Sequence, residues 1–200
     1  MKNISFLVLA AGKSSRMKSI KQLEKINHKN LIDISLNKIR DVFSGTIFCV
    51  LGSNSDKIKH EITTKNIEFI SNINFEKGLS SSIVAGIEYF KKNHYNFDGV
   101  FILLADQPAL EISYLESIIS LFEENMDKII ASNYGNKLGV PAIFPKKNFI
   151  DLLLLQGDKG AKDFINQRKK IVICPKKTTN FFDIDTKEDL ILFKNQFKNS

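Results

Sequence analysis

A small cationic loop placed directly after an apolar run is the part of this chain best equipped for chemistry. Phe6-Leu7-Val8-Leu9-Ala10-Ala11 leads into Gly12-Lys13-Ser14-Ser15-Arg16-Met17, and Lys21 follows four residues later. The apolar residues read as a buried strand. Ala10, Ala11 and Gly12 let backbone N–H groups close on a ligand, and Lys13, Arg16 and Lys21 offer charge to phosphate oxygens. Two common phosphate loops are excluded. A Walker motif ending in Gly12-Lys13-Ser14 requires its first glycine at position 7, where Leu7 stands, and a dinucleotide fingerprint requires three glycines where Gly12 is alone.

Carboxylates complement the loop. The apolar run Val100 to Leu104 ends in Ala105-Asp106-Gln107-Pro108. In open α/β sheets ligands bind outside the carboxyl ends of the strands, so the loop and Asp106 are expected on one rim. Asp183 and Asp185, two residues apart in an extended segment, point to the same face. Ser80-Ser81-Ser82 suits a helix start, where serines satisfy free N–H groups, with a ligand contact by Ser82 as an addition. Gly139-Val140-Pro141 and Gly157 to Ala161 fit plain turns or acceptor contacts. His28, His60 and His94 share no spacing or partner and read as surface histidines.

The elements that must position these groups alternate. Strands are expected at Ile4 to Leu9, Thr46 to Leu51, Ile67 to Ile70 and Val100 to Leu104. Helices are expected at Asn30 to Asp41, Asp56 to Thr64, Ser80 to Lys92 and Ser113 to Asn125. Parallel strands need long crossovers, which the helices supply, so this is a doubly wound, mostly parallel α/β sheet. The second half is less regular. It offers strands at Lys128 to Ser132, Val140 to Phe144, Ile171 to Cys174 and Phe181 to Ile184, and helices at Lys146 to Leu155 and Lys159 to Gln167. Thr186 is placed to cap a final helix carrying Glu188 and Asp189 in its first turn.

Two hundred residues at 43% hydrophobic content suit one domain, residues 1–200. The longest apolar run is too short for a bilayer and the N-terminus has no signal-peptide pattern, so a soluble cytoplasmic protein is expected, without a membrane partner. The charge of +7 comes from scattered lysines without interleaved aromatics, which reads as a solvated surface rather than a nucleic-acid platform. Cys49 and Cys174 lack any metal or redox spacing and are expected as reduced core thiols.

The ordered set of LAAGKSSRM with Lys21-Gln22-Leu23, Gly78 to Ile87, Leu103 to Pro108, Gly139 to Pro141, Gly157 to Ala161 and Asp183 to Leu190 resembles the nucleotidyltransferase superfamily. Within it the chain looks like the molybdenum cofactor cytidylyltransferase branch of the MobA-like NTP transferases, over essentially Leu9 to Leu190. The resemblance implies a three-layer α/β/α fold like that of nucleotide-diphospho-sugar transferases. It implies attack of a substrate phosphate on the α-phosphorus of an NTP, with Mg²⁺ as cofactor and release of pyrophosphate. By that likeness Lys13 and Arg16 serve the β- and γ-phosphates and Lys21 the α-phosphate, so that Lys21, Arg16 and Asp106 are the catalytic set. Asp106 and Asp185 hold the metal, with Asp183 in reserve.

Ala10, Ala11, the Gly78 turn and Ser82 receive the base or ribose, and LAAG, where GTP-using relatives tend to carry LAGG, leans towards CTP. Molybdopterin carrying molybdenum is the implied acceptor, and a molybdoenzyme or its chaperone a possible partner. Alternatives are a GTP-dependent pterin, sugar-phosphate or alcohol-phosphate acceptor, or a non-catalytic nucleotide-binding partner of a molybdoenzyme. The chain departs from the family pattern at Lys18, where glycine is common, and at Asn27-His28-Lys29-Asn30, where asparagine can take the left-handed conformation that a glycine-containing turn requires.

Overall fold

The computed structural model describes residues 3–14 and 16–196. Strand β1 (Ile4–Leu9) is buried along its whole length. It is followed by a short hairpin, β2 (Lys25–Ile26) and β3 (Lys29–Asn30), then α1 (Leu31–Val42), β4 (Ile47–Leu51), α2 (Ser55–Glu61), β5 (Ile67–Ser71), α3 (Leu79–Lys92) and β6 (Gly99–Leu104). The chain continues through α4 (Ile112–Glu124), β7 (Ile130–Asn133), β8 (Leu138–Pro145), α5 (Phe149–Leu153), α6 (Lys162–Gln167) and α7 (Lys187–Gln196). The main sheet has the order β5-β4-β1-β6-β8-β7. β5, β4, β1 and β6 are parallel, whereas β8 runs antiparallel to both β6 and β7.

Side-chain alternation along β1 explains the three layers. Ile4, Phe6 and Val8 pack with α1, α2 and α4 through Ile32, Leu36, Ile58, Tyr114 and Ile118. Leu7 and Leu9 face the other way, onto Ile83 and Ile87 of α3, Leu152 of α5 and Ile165 of α6. A strand covered on both faces must be apolar throughout, as the continuous run of β1 is. The chain works outward from β1 to β5 and returns to β6 on the other side of β1. The reversal opens a crevice at the carboxyl ends of β1 and β6, where both predicted loops lie. There the Ala105 amide donates to the Leu9 carbonyl at 3.2 Å and the Ala10 amide to Val50 at 2.9 Å.

Several second-half expectations are corrected. Ile171 to Cys174 is not a strand: a 3₁₀ turn over Lys169–Ile171 precedes a single bridge from Ile173 to Ile130, and Pro175, which has no N–H, follows at once. Phe181 to Ile184 is not a strand either. Ile184 is fully buried and its amide donates to the Asp106 carbonyl at 3.0 Å, while Phe181 packs on Tyr114 and Tyr134. Those apolar residues seal the site rim instead of joining a sheet. The helix expected from Lys146 is divided into a 3₁₀ turn, Lys146–Asn148, and α5. The helix expected from Lys159 starts later, after Gly160 in the left-handed region at φ 56°. Cys49 and Cys174 are both free, and burial pushes the Cys49 thiol up to about 12. Among the described residues no helix is long and apolar enough to cross a membrane.

The two departures from the family pattern have a common geometry. Asn27 and His28, the two residues between β2 and β3, have φ of 47° and 69°, the left-handed pair a tight hairpin demands. Lys18 has φ 55°, so a lysine occupies a conformation that glycine takes without steric cost. Replacing Lys18 with Val should therefore lower stability by about 1–2 kcal/mol, whereas Lys18→Gly should not lower it. Urea denaturation of the two variants beside the parent measures the difference.

Candidate nucleotide and metal site

Lys21 draws together groups from three parts of the chain. Its Nζ lies 2.7 Å from Asp106 Oδ2, at the end of β6, and 2.9 Å from Asp185 Oδ1, just before α7. Arg16 reaches the other oxygen of Asp185 at 3.2 Å. Burial alone would lower the Lys21 pKa, but the charge of Asp106 and then that of Asp185 outweigh it and hold the ammonium above the ordinary lysine value. Asp185 is fixed from behind. Asp189 Oδ2 accepts from the amides of Asp185 and Thr186, and Thr186 Oγ1 accepts from the Asp189 amide at 3.1 Å, so the expected Thr186 cap forms as a reciprocal box.

A divalent metal fits this donor set. Asp106 Oδ1 is buried and has no hydrogen-bond partner among the described residues, and a hard cation takes carboxylate oxygens. Among the described residues no group of three His, Cys, Asp or Glu side chains is placed to hold a metal ion. Two carboxylates would thus leave most coordination positions to phosphate and water, the usual arrangement for Mg²⁺. Asp183 points elsewhere: it accepts from Gln107 Nε2 at 2.8 Å. The geometry thereby separates the two C-terminal carboxylates, with Asp185 beside Asp106 and Lys21.

Gln22 shapes the Gly12 loop, a role the sequence did not reveal. Only 5% exposed, it donates from Nε2 to the Ala10 carbonyl at 2.8 Å and the Gly12 carbonyl at 3.3 Å. Ser14 Oγ donates to Gln22 Oε1 and accepts from the Lys21 amide, which ties the loop to the segment carrying Lys21. Ser15 lies outside the described residues. The signal for Gln22 is a polar residue between Lys21 and Leu23 that must be buried to reach two carbonyls; its position in the motif was visible, its partners were not.

The start of α3 closes the opposite wall. Gly78 has φ 93°, and a Cβ there would lie 2.1 Å from Asp158 Oδ1 and 2.7 Å from the Gly157 carbonyl. Ser80 donates from Oγ to the Gln156 carbonyl, and its amide to Gly157. The glycine-containing segment near Asp158 is therefore a brace under the Gly78 turn. Asn72, also missed from sequence, donates to Ser81 and Ser82 and sets their hydroxyls. A cavity of about 420 Å³ results, lined by Ala10, Ala11, Gly12, Arg16, Lys21, Gly78, Ser82, Asp106 and Asp185. Lys13 does not line it: it pairs with Glu76 and lies over the Phe75 ring.

A second cavity, about 280 Å³, adjoins the first across Leu9, Leu79 and Leu104. Gln107, Tyr134, Gly139, Val140, Lys159, Ala161 and Asp183 help to line it, so both glycine-marked motifs reach this space. Gln107 also donates to the Tyr134 hydroxyl at 3.0 Å, and that hydroxyl donates to the Val140 carbonyl. Asp183 lies open to the cavity yet is ringed by protein. Desolvation, with the charges of Asp106 and Asp185, pushes its carboxyl up to about 6, against the hydrogen bond from Gln107 and the charge of Lys21. His28, His60 and His94 are exposed.

The model of the MobA-like NTP transferase domain matches residues 6–171. The chain belongs to this family. Solved structures share its fold. The Mycobacterium tuberculosis H37Rv protein Rv0371c superposes with a TM-score of 0.81 at 21% identity, covering 98% of this chain and 99% of that one. It has also been crystallised in complex with manganese. A nucleotidyl transferase from Methanothermobacter thermautotroptrophicus gives 0.78 at 17% identity over 98% and 97% of the two chains. Molybdopterin-guanine dinucleotide biosynthesis protein A from Archaeoglobus fulgidus gives 0.70 at 18%, over 98% and 100%. The six-stranded, mostly parallel sheet flanked by helices is the architecture of nucleotide-diphospho-sugar transferases, as the sequence had implied.

Asp183 makes stability depend on pH in a definite direction. Its folded pKa is raised, so the folded chain holds more protons than the unfolded one between about 4 and 6. The contribution to stability is present below that window and is lost as pH rises through it. Asp183→Asn should therefore melt higher than the parent at pH 7.5, and the difference should shrink towards pH 4. Thermal melts across that range measure it.

Proposed function

We propose that this protein is a divalent-metal-dependent nucleotidyltransferase that transfers CMP from CTP to the phosphate of molybdopterin carrying molybdenum. The observation that carries the reading is the convergence of Lys21, Asp106 and Asp185 beside the Gly12 loop. An oxygen of the acceptor phosphate forms a bond to the α-phosphorus, the bond from that phosphorus to the bridging oxygen breaks, and its electron pair leaves on pyrophosphate. An ionised acceptor phosphate needs no general base. The demands on the protein are alignment and neutralisation of spreading negative charge.

Lys21, already held near the rim by two carboxylates, faces the position of the α-phosphate, and Arg16 that of the outer phosphates. Lys13, on its flexible stem at the loop's outer edge, is placed to add charge to the triphosphate tail once it leaves Glu76. Backbone N–H groups of Ala11 and Gly12 supply further donors. Asp106 and Asp185 would hold the metal, Mg²⁺ in this reading, which would supply positive charge to offset that of the phosphates. The manganese complex of Rv0371c supports divalent metal dependence.

CTP is favoured by Ala10-Ala11 at the end of β1, and the base or ribose meets Ser82 as set by Asn72. The molybdopterin acceptor rests on the ordered motifs, and on the shared fold of a protein named for molybdopterin-guanine dinucleotide biosynthesis. It would enter the second cavity, next to Leu104 and Asp106.

Pyrophosphate release should be fastest with CTP among the four common NTPs and should require molybdopterin. Turnover with a sugar phosphate and no pterin would remove this acceptor. Asp106→Ala should lower CMP transfer by at least about 100-fold, the usual scale for losing one electrostatic group at the reacting centre. Unchanged product formation in that variant would remove the metal assignment.

A further inference from the structure

Apart from its lysines, the polar side chains of the second cavity accept hydrogen bonds without offering any. Both N–H bonds of Gln107 are committed, one to the Tyr134 hydroxyl and one to Asp183 Oδ1. Gln107 is 2% exposed, lines this cavity, and has a buried Oε1 with no hydrogen-bond partner among the described residues. The Tyr134 hydroxyl spends its hydrogen on the Val140 carbonyl. The Asp183 carboxylate lines the same space and accepts only. Elsewhere the walls are apolar, with Leu79, Ile83, Leu138 and Val140, and the cations are Lys137, Lys159 and Lys162.

A ligand matched to this surface has three parts: an edge rich in N–H donors, a flat body that tolerates leucine on its faces, and an anionic group. A polyol fits poorly, because hydroxyls pressed against Leu79 or Ile83 would lose their hydrogen bonds. We propose that Asp183 is a specificity-determining residue that accepts hydrogen bonds from adjacent N–H groups of a planar heterocyclic acceptor, an amino-pyrimidinone edge. The proposal rests on the acceptor reading given above and goes further by assigning the edge that is read and the residue that reads it. Asp183 is thereby given to the acceptor, while Asp106 and Asp185 are given to the nucleotide and its metal.

Two fluorescent probes differ only at that edge. Pterin-6-carboxylate carries an exocyclic amino group where lumazine-6-carboxylate carries a carbonyl oxygen, which would face the carboxylate with no hydrogen between them. Fluorescence titrations of the parent protein and of Asp183→Asn at pH 7.5 measure both affinities, with thermal melting to confirm folding. Asp183→Ala serves as a second variant should the first not fold. The parent should bind the pterin at least about 10-fold more tightly than the lumazine, because a carbonyl oxygen set against the carboxylate replaces a hydrogen bond with repulsion. Either variant should bring the two affinities within about threefold. Equal binding of the probes by the parent, or a preference that survives both substitutions, overturns the role of Asp183 and leaves the acceptor reading standing. Failure of the parent to bind either probe overturns both.

Discussion

Two carboxylates brought to the same rim repel each other, and the ammonium of Lys21 is what lets them stay. It touches Asp106, 85 residues away in the chain, and Asp185, 164 residues away. That contact joins the end of the central sheet to the segment before the last helix. The side chains of Lys21 and Asp106 are only 13% and 23% exposed, so the pair feels an environment less screened than open water. Removing one member of such a pair leaves the others uncompensated, a loss of about 3–5 kcal/mol where burial is complete and less at this partly open rim. The remaining contacts at the rim act to hold this one: the Ile184 amide on the Asp106 carbonyl, the Thr186–Asp189 box behind Asp185, and Gln22 beneath the loop.

The charge balance of the site fits its proposed chemistry. Asp106 and Asp185 are matched by Lys21 and Arg16, with one oxygen of Asp106 lacking a hydrogen-bond partner among the described residues. A metal–triphosphate complex brings both partners that this set lacks: phosphate oxygens for the cations and a cation for the carboxylates. On the proposed function, the residues that neutralise one another in the free protein would be those that transfer at the α-phosphorus calls upon. Beside them, Gln107 links the two cavities. It follows Asp106 directly, yet its side chain belongs to Asp183 and Tyr134 in the neighbouring cavity, so on the proposed function it would join the acceptor side to the carboxylate proposed for the metal.

Much of this was legible in the amino-acid order, for a physical reason. Strands buried on both faces must be apolar throughout, so β1 and β6 announced themselves, and their carboxyl ends located Gly12 and Asp106. Asp185 was offered only by its place in the family pattern, with Asp183 in reserve, because two carboxylates two residues apart look alike in sequence. The second half was harder, because Phe181 packs edge-on against Tyr114 and the Ile184 amide meets the Asp106 carbonyl, and periodicity cannot distinguish that from pairing in a sheet. Partnerships made across long separations were also hidden. Gln22 under the loop, Asn72 on the α3 serines, Lys13 with Glu76 and the brace near Asp158 all depend on which segments meet in space. Lys18 was visible as a departure, but its left-handed backbone was not.

Following the label from each phosphorus tests the central claim most directly. With CTP radiolabelled separately at the α- and γ-positions and molybdopterin carrying molybdenum as acceptor, α-label should appear on the pterin product and γ-label in pyrophosphate. Transfer of γ-label to the acceptor would mean that the bond broken lies at the other end of the triphosphate. The arrangement of Lys21, Asp106 and Asp185 would then serve a different reaction.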